Sequence, residues 1–533
     1  MSLSQSLLAA LGEPANTPLI TGILRGIEKE SLRITPAGHL ACTPHPQQLG
    51  AALTHPQITT DFSEALLEFI TPPSHRVEEV LAHLENIHRF TYQQLQNEYL
   101  WVSSMPCMLS NDDEVPVANY GTSNVGRMKT VYRYGLGHRY GRLMQTIAGI
   151  HYNFSLPTAF WAFLHTHENS SQELQAFKTE RYFALIRNFR RYYWLLIYLF
   201  GAAPAVCRTF VSDRKHSLVP HGDDHHTLHT PYATSLRMGD LGYQSQAQEA
   251  LVVCYNNLSS YLHTLCGAIT QPHPDYEAIG LRNGAGEYQQ LNTSLLQIEN
   301  EFYSSIRPKR TAHSGETALG ALHDRGVEYI EVRCIDLNPY EPLGIDAGQI
   351  HFLDTFLLYC LLKDSPEANN TEYRHILENQ RRIVYRGREP GLTLLDSEGA
   401  EIGLKDWGMA LLEELAPVAG LLDRATGSDH HATALGQQRG KVEDAQLTPS
   451  ARVLRDMEEQ GVTFFRLAMN QAERHSQALT ATPLDQRTEL RFRAMAATSL
   501  QEQAAVEAAD TLSFEEYLQR FYAQYRYCNC NQP

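Results

Sequence analysis

Four short segments, far apart in the chain, set acids or a histidine among apolar residues in a two-residue rhythm. They are LRGIEKESLRI (24–34), ITTDFSEALLEFIT (58–71), AGIHYNFSL (148–156) and VEYIEVRCID (327–336). A period of two belongs to a strand, whose successive side chains point to opposite faces. An ionised carboxylate buried in so apolar a segment costs on the order of several kcal/mol unless it is liganded, paired or turned to a cleft. These segments therefore predict a sheet that buries one face and gathers polar groups on the other.

The stretches between them read as helices. Val77, Val80, Leu81, Leu84, Ile87 and Phe90 recur at helical spacing after Pro72, Pro73 and Ser74, predicting a core-facing helix. Similar patterns predict helices over about 171–200, 247–265 and 350–362, and over much of the chain after 450. Ser513 and Glu516 have the spacing of a capping box, with Leu512 and Tyr517 placed to staple the last helix. Strands separated by long helical insertions, with no regular strand–helix–strand repeat, predict an α+β fold, a mainly antiparallel sheet with helices on one side. Two polar stretches rich in Gly, His, Asp and Gln, 216–230 and 428–448, are expected to be surface loops.

The balance of 44 Lys plus Arg against 60 Asp plus Glu gives a net charge of −16, which argues against nucleic acid and anionic membranes as partners. The first residues carry no basic region, and Gly12, Glu13 and Pro14 break their apolar stretch, as expected of a cytosolic chain rather than a signal sequence. The apolar run from Tyr192 to Val206 is too short to span a bilayer and reads as a buried helix. Nine scattered cysteines predict reduced thiols, and Cys528-Asn-Cys530 has no second pair nearby to complete a soft-metal site.

Glu28 and Glu30 share a strand face, either solvated or balanced by a divalent cation that selects oxygen ligands, as magnesium does. Asp61 and Glu68 repeat the theme. His151, Asn153 and Ser155 fall opposite Ile150, Tyr152 and Phe154, so His151 is either a structural histidine or a ligand. Glu331 and Arg333 share a face opposite Ile330, Val332 and Cys334, which suits either a cross-strand ion pair or adjacent binding of metal and phosphate. In LQIENEFYSSIRPKR (296–310), Arg307, Lys309 and Arg310 put three cations within four positions, a phosphate grip or a solvated loop. Arg237 and Tyr243 lie in a glycine-bearing stretch and can clamp a carboxylate by a forked donor and a phenol. The sequence has no Gly-x-x-x-x-Gly-Lys-Ser/Thr loop, no Gly-x-Ser-x-Gly elbow and no His-Glu-x-x-His helix.

RGIEKESLRI, TTDFSEALLEFIT, the region from Tyr132 to Phe154, YATSLRMGDLGY, LQIENEFYSSIRPKR and GVEYIEVRCIDLNP follow one another between about residues 20 and 360. Together they resemble the bacterial glutamate–cysteine ligase family, also called γ-glutamylcysteine synthetase, in its proteobacterial form. The resemblance implies a fold similar to the catalytic half of glutamine synthetase, an antiparallel sheet curled into a funnel. Residues 1–370 would form this catalytic region and 371–533 a mainly helical region packed on it. It implies a cytoplasmic enzyme that uses ATP to join the γ-carboxylate of L-glutamate to the amine of L-cysteine through γ-glutamyl phosphate.

By the same matching, Glu28, Glu30, Asp61, Glu68, His151 and Glu331 would hold more than one Mg2+, with Mn2+ able to substitute. Arg333 and Glu331 would act on the transferred phosphoryl group, and Arg133, Arg307, Lys309 and Arg310 would hold ATP. Arg237 and Asn153 are matched to substrate, and Tyr243 and Tyr303 to the cysteine carboxylate. Phe62, Tyr132, Leu136 and Gln145 would shape the pocket for the cysteine side chain. Glutathione is expected as a feedback inhibitor and the chain as a monomer. An ATP-dependent γ-glutamyl ligase with another amine acceptor is the alternative.

Overall fold

The computed structural model describes residues 3–529 except 107, 110, 213, 243–245, 250 and 314. Strands β1 (Leu24–Ile34), β2 (Ile58–Thr60), β3 (Leu66–Ile70), β4 (Tyr99–Leu100) and β5 (Ile150–Ser155) precede a small sheet of β6 (Ala205–Cys207), β7 (Val219–His221) and β8 (Asp224–His229). β9 (Ile306–Lys309) and β10 (Tyr329–Ile335) return to the first sheet. Its order is β2-β3-β1-β5-β10-β9, with β4 paired to β1, and every pairing is antiparallel. The fold is α+β. The main sheet is open, with β2 and β9 at its edges.

The alternation in the sequence sorts the two faces as expected. Ile27, Tyr152, Phe154, Ile330 and Val332 are wholly buried. Helices Val77–Gln94 and Trp194–Phe200 pack along this side of β1 and β10. Behind β5 runs helix Ala347–Leu362, buried at every residue from Gln349 to Leu362; its Asp354 accepts a 2.6 Å hydrogen bond from the Tyr152 hydroxyl. Lys29, between Glu28 and Glu30, points to this apolar side, where its Nζ lies 2.7 Å from His88 Nε2. The apolar core runs from Leu7 to Tyr525, so helices from both ends of the chain share it.

Three expectations are corrected. Residues 216–230 are not a plain surface loop, because β7 and β8 form an antiparallel hairpin that pairs with β6. Their strand character was hidden by His221, Asp224, His225 and His226 in a hairpin that is largely exposed. Most of 428–448 is helix His430–Glu443, whose Ala434, Leu435 and Val442 are buried despite the polar composition around them. Cys266 and Cys528 are joined in a disulfide, so not all the thiols are free, and Cys528 is not available as a thiolate ligand. Cys530 lies outside the described residues.

The helix expected over 247–265 is split: 251–257 is irregular and a regular helix starts only at Leu258, where the Asn257 side chain accepts from the Ser260 N–H. The capping box of Ser513 and Glu516 is formed. Helix Trp194–Phe200 is buried along its whole length, and no helix among the described residues is long and apolar enough to cross a membrane.

Candidate active site

Register puts the acids together. Glu28 of β1 stands opposite His151 of β5, and Glu30 stands opposite Glu68 of β3. On the other side of β5, Asn153 faces Glu331 of β10, which in turn faces Arg307 of β9. All these positions share the polar face, because side chains directly across a ladder point the same way.

The contacts on this face are dense. His151 Nδ1 lies 3.1 Å from Glu28 Oε2, and the Asn153 amide donates to Glu28 Oε1 at 2.9 Å. His151 Nε2 is 3.6 Å from Glu30 Oε1, while the Gly149 N–H donates to Glu30 Oε2 at 2.7 Å. Lys309 Nζ and Arg333 Nη1 each come within 3.1 Å of a Glu331 oxygen. A bulge in β10 between Val332 and Ile335, opposite β5, brings Arg333 Nη1 to 3.4 Å from His151 Nδ1. The other amide atom of Asn153, Oδ1, is buried without a hydrogen-bond partner.

The electrostatics divide the acids. Burial raises the Glu331 carboxyl, but Lys309 and Arg333 outweigh it and hold the group well below the usual carboxylate range. Glu28 also ends below that range, since its hydrogen bond to His151 and the charges of His151 and Lys309 overcome burial and Glu331. Glu30 is pushed up by burial, with Asp61 adding repulsion. Glu68 is pushed well above its ordinary value by burial and by Glu28, Asp61 and Glu30, which Arg133 only partly offsets.

Around this centre the remaining expected residues take distinct places. Asp61, half exposed at the rim, has its backbone carbonyl bonded by Arg133 Nε at 2.5 Å and its carboxylate 3.8 Å from Arg133 Nη2. Arg133 also lies 4.5 Å over the Tyr120 ring. Arg307 points its Nη2 to the carbonyls of Asn300 and Phe302, whereas Arg310 lies beyond β9 beside Glu328. Tyr132 and Leu136 lie on helix Asn124–Tyr140, Phe62 is buried, and the Gln145 amide donates to the Tyr303 hydroxyl at 2.9 Å. Tyr303 also lines a cavity of about 430 Å³ with Arg190, Tyr255, Ser304, Ser305 and Tyr373. Tyr243 lies outside the described residues.

Arg237 is buried beside β10: Nη2 donates to the Arg333 carbonyl at 2.8 Å and Nη1 is 3.7 Å from Asp336. Two partners of this arrangement were not singled out from the sequence. Gly149 is needed for close approach, since a Cβ there would stand 2.0 Å from Arg237 Nη2. Asp336 is buried and also accepts from the Ala202 N–H and the Ser235 hydroxyl. The Gly149 signal was present as a glycine directly before a strand, but nothing local linked it to an arginine 88 positions away.

The donor set suits hard divalent cations. Glu28, His151 and Glu331 each offer one ligand atom within 4.8 Å of the others, and Glu30 and Glu68 add carboxyls on the same face. Cations from β9 and β10 border the acids, so the face can meet metal and a polyanion side by side.

An antiparallel sheet with acids and cations side by side on one face suits the class of enzymes that handle a metal-bound polyphosphate. Residues 8–383 match the family model for glutamate-cysteine ligase. A glutamate–cysteine ligase of Saccharophagus degradans is 56% identical over 524 residues, covering 98% of this chain and 99% of that one. One from Alcanivorax borkumensis is 52% identical, with the same coverage of both chains. A solved structure of the Francisella tularensis glutamate–cysteine ligase in complex with AMP has a TM-score of 0.89 at 36% identity, covering 95% of this chain and 99% of that one. The chain belongs to the glutamate–cysteine ligase family.

Proposed function

We propose that the polar face of the main sheet carries out the ATP-dependent joining of the glutamate γ-carboxylate to the amine of cysteine, the first step of glutathione synthesis. The observation that carries this reading is the junction of Glu28, His151 and Glu331 with Arg333 and Lys309, acids for metal directly beside cations for phosphate.

Glu28, Glu30, Asp61, Glu68, His151 and Glu331 would hold magnesium, which when bound neutralises charge on the triphosphate and its transferring group. Arg333, which lies at the bulge in β10, is assigned to the transferred phosphoryl oxygens. Lys309 and Arg133 border the same acids and are proposed ATP contacts; Arg307 and Arg310 are assigned to the outer part of the nucleotide path. A γ-carboxylate oxygen of glutamate attacks the terminal phosphorus, ADP leaves, and γ-glutamyl phosphate results. The neutral amine of cysteine attacks the acyl carbon, the bond from that carbon to the phosphate oxygen breaks, and the nitrogen passes its extra proton to the departing phosphate or to water as the amide forms.

Arg237, anchored by Asp336 and the Arg333 carbonyl, is proposed to bind a substrate carboxylate. Asn153 Oδ1 offers a buried acceptor beside Glu28. Tyr303, oriented by Gln145, is assigned to the cysteine carboxylate together with Tyr243, and Phe62, Tyr132 and Leu136 to the wall around the thiol. A thiol makes weak hydrogen bonds, so pocket size is the selecting property, and 2-aminobutyrate should compete. Glutathione carries the same γ-glutamyl group and is proposed to bind competitively with glutamate.

The test is ADP formation by the purified chain with magnesium, ATP and glutamate, without amine, with cysteine, and with a panel of other amines, products being identified by mass. A γ-glutamylcysteine product and strong dependence on cysteine are expected. Glutamate-dependent turnover only with a different amine would reject the acceptor, and no turnover by folded protein would reject the reading.

A further inference from the structure

Behind the catalytic sheet lies a second cluster of metal-ligating side chains that the reaction does not use. His351 and Asp354, three positions apart, lie on one face of helix Ala347–Leu362. His431 lies at the start of helix His430–Glu443. One ligand atom from each of His351, Asp354 and His431 lies within 4.8 Å of the other two. The three residues are 8%, 0% and 1% exposed.

The hydrogen bonding around this cluster is one-sided. His431 Nδ1 lies 2.8 Å from Asp423 Oδ1, and the same carboxylate accepts the backbone N–H groups of His431 and Ala432 at 2.9 Å. The ring is thereby fixed in direction, yet its other nitrogen, Nε2, is buried without a hydrogen-bond partner. His351 Nδ1 is buried without a partner as well, and the two rings stand 4.8 Å apart between centroids. Asp354 accepts one bond on each oxygen, from Tyr152 and from Arg25 Nε, both at 2.6 Å. A carboxylate oxygen has a second lone pair, so both remain able to bind a cation.

A buried imidazole nitrogen with no partner is costly, and here two such rings are brought together with one carboxylate. We propose that His351, Asp354 and His431 form a structural site for a transition-metal dication of the zinc type, with Asp423 as the positioning residue for His431. Two imidazoles and a carboxylate suit zinc or cobalt rather than magnesium, which takes oxygen ligands. A carboxylate on the far nitrogen of a ligating histidine is the usual means of holding its ring and tautomer. Tetrahedral zinc ligands stand roughly 3.3 Å apart, so binding draws the three donors together. The ring of exposed His430 lies 5.1 Å from that of His351. A metal here ties helices Ala347–Leu362 and His430–Glu443 to the back of β5, one residue from His151 and Asn153 on the opposite face.

The experiment uses the full chain, stripped with chelator and equilibrated with Zn2+ or Co2+ in excess magnesium, so that the oxygen-rich face is occupied by magnesium. Metal is counted by mass spectrometry, and cobalt coordination is read from its visible absorption. One equivalent is expected in the unaltered chain and in Glu331→Gln, with none retained by His431→Gln or His351→Gln. Asp423→Asn should bind about 10–100-fold more weakly, as positioning partners of metal ligands do; this variant decides the matter if the histidine variants do not fold. No bound equivalent, one kept undiminished by His431→Gln or Asp423→Asn, or one lost in Glu331→Gln would overturn the proposal.

Discussion

Glu30 and Glu68 stand directly opposite each other on β1 and β3, two polar-face carboxyls in one cross-strand pair. Like charges in this position destabilise a sheet. Glu68→Gln should therefore raise the thermal midpoint of the magnesium-free protein slightly. It should also shrink the further rise produced by magnesium and lower turnover by roughly two orders of magnitude, the scale of losing transition-state charge stabilisation. Scanning calorimetry with and without magnesium, beside a turnover assay, checks the opposed signs.

Arg333 touches Glu331 and reaches His151, so its charge sits where the phosphoryl group is proposed to pass. Arg333→Ala should cost about 10²–10³ in kcat while changing the KM for glutamate little. Steady-state kinetics with each substrate varied will show the split. A loss confined to KM would move Arg333 from the transferring group to ground-state binding.

At Gly149 a methyl group would collide with the Arg237 guanidinium, 2.0 Å from Nη2. Overpacking of this kind costs about 1–3 kcal/mol. Gly149→Ala should lower the urea midpoint and raise the KM for glutamate, because Arg237 must leave the Arg333 carbonyl. An unchanged KM would show that Arg237 does not serve that substrate.

Lys441, largely buried, donates to the Leu199 carbonyl at 3.0 Å and lies 4.8 Å over the Phe200 ring. Burial pushes its ammonium down to about 8 from an ordinary value near 10.5. Between those two pH values the unfolded chain holds the proton and the folded one has released it, so this group makes stability rise with pH. Below about pH 8 both states are charged and the burial penalty is constant. The unfolding free energy of the unaltered chain, relative to Lys441→Met, should climb by up to about 3 kcal/mol between pH 8 and 10.5. Urea titrations of both proteins across that range measure it, and parallel curves would contradict it.

Much of the main sheet could be read from the sequence because acids sit among β-formers: LRGIEKESLRI is β1 residue for residue, although 58–71, read as one strand, is β2 and β3 joined by a turn at 61–65. Glu28, Glu30, His151 and Glu331 share a face through the period of two. Which strands would be neighbours was not readable, since β5 and β10 are about 180 residues apart and their register depends on a bulge that no local signal announces. Helix His430–Glu443 was missed because its buried stripe of His431, Ala434, Leu435, Gln438 and Val442 is narrow and includes two polar residues. The Cys266–Cys528 disulfide spans 262 residues, and the His351, Asp354 and His431 cluster joins two helices, so both exist only in three dimensions.

The central claim is that the γ-carboxylate of glutamate is phosphorylated on this face before the amine attacks. Glutamate labelled with 18O in its γ-carboxylate, turned over with magnesium, ATP and cysteine, tests it by mass analysis of the phosphate released. Phosphate carrying one 18O atom per turnover is predicted, because that oxygen bridges carbon and phosphorus in the acyl phosphate and leaves with phosphorus. Unlabelled phosphate, with γ-glutamylcysteine still formed, would contradict it.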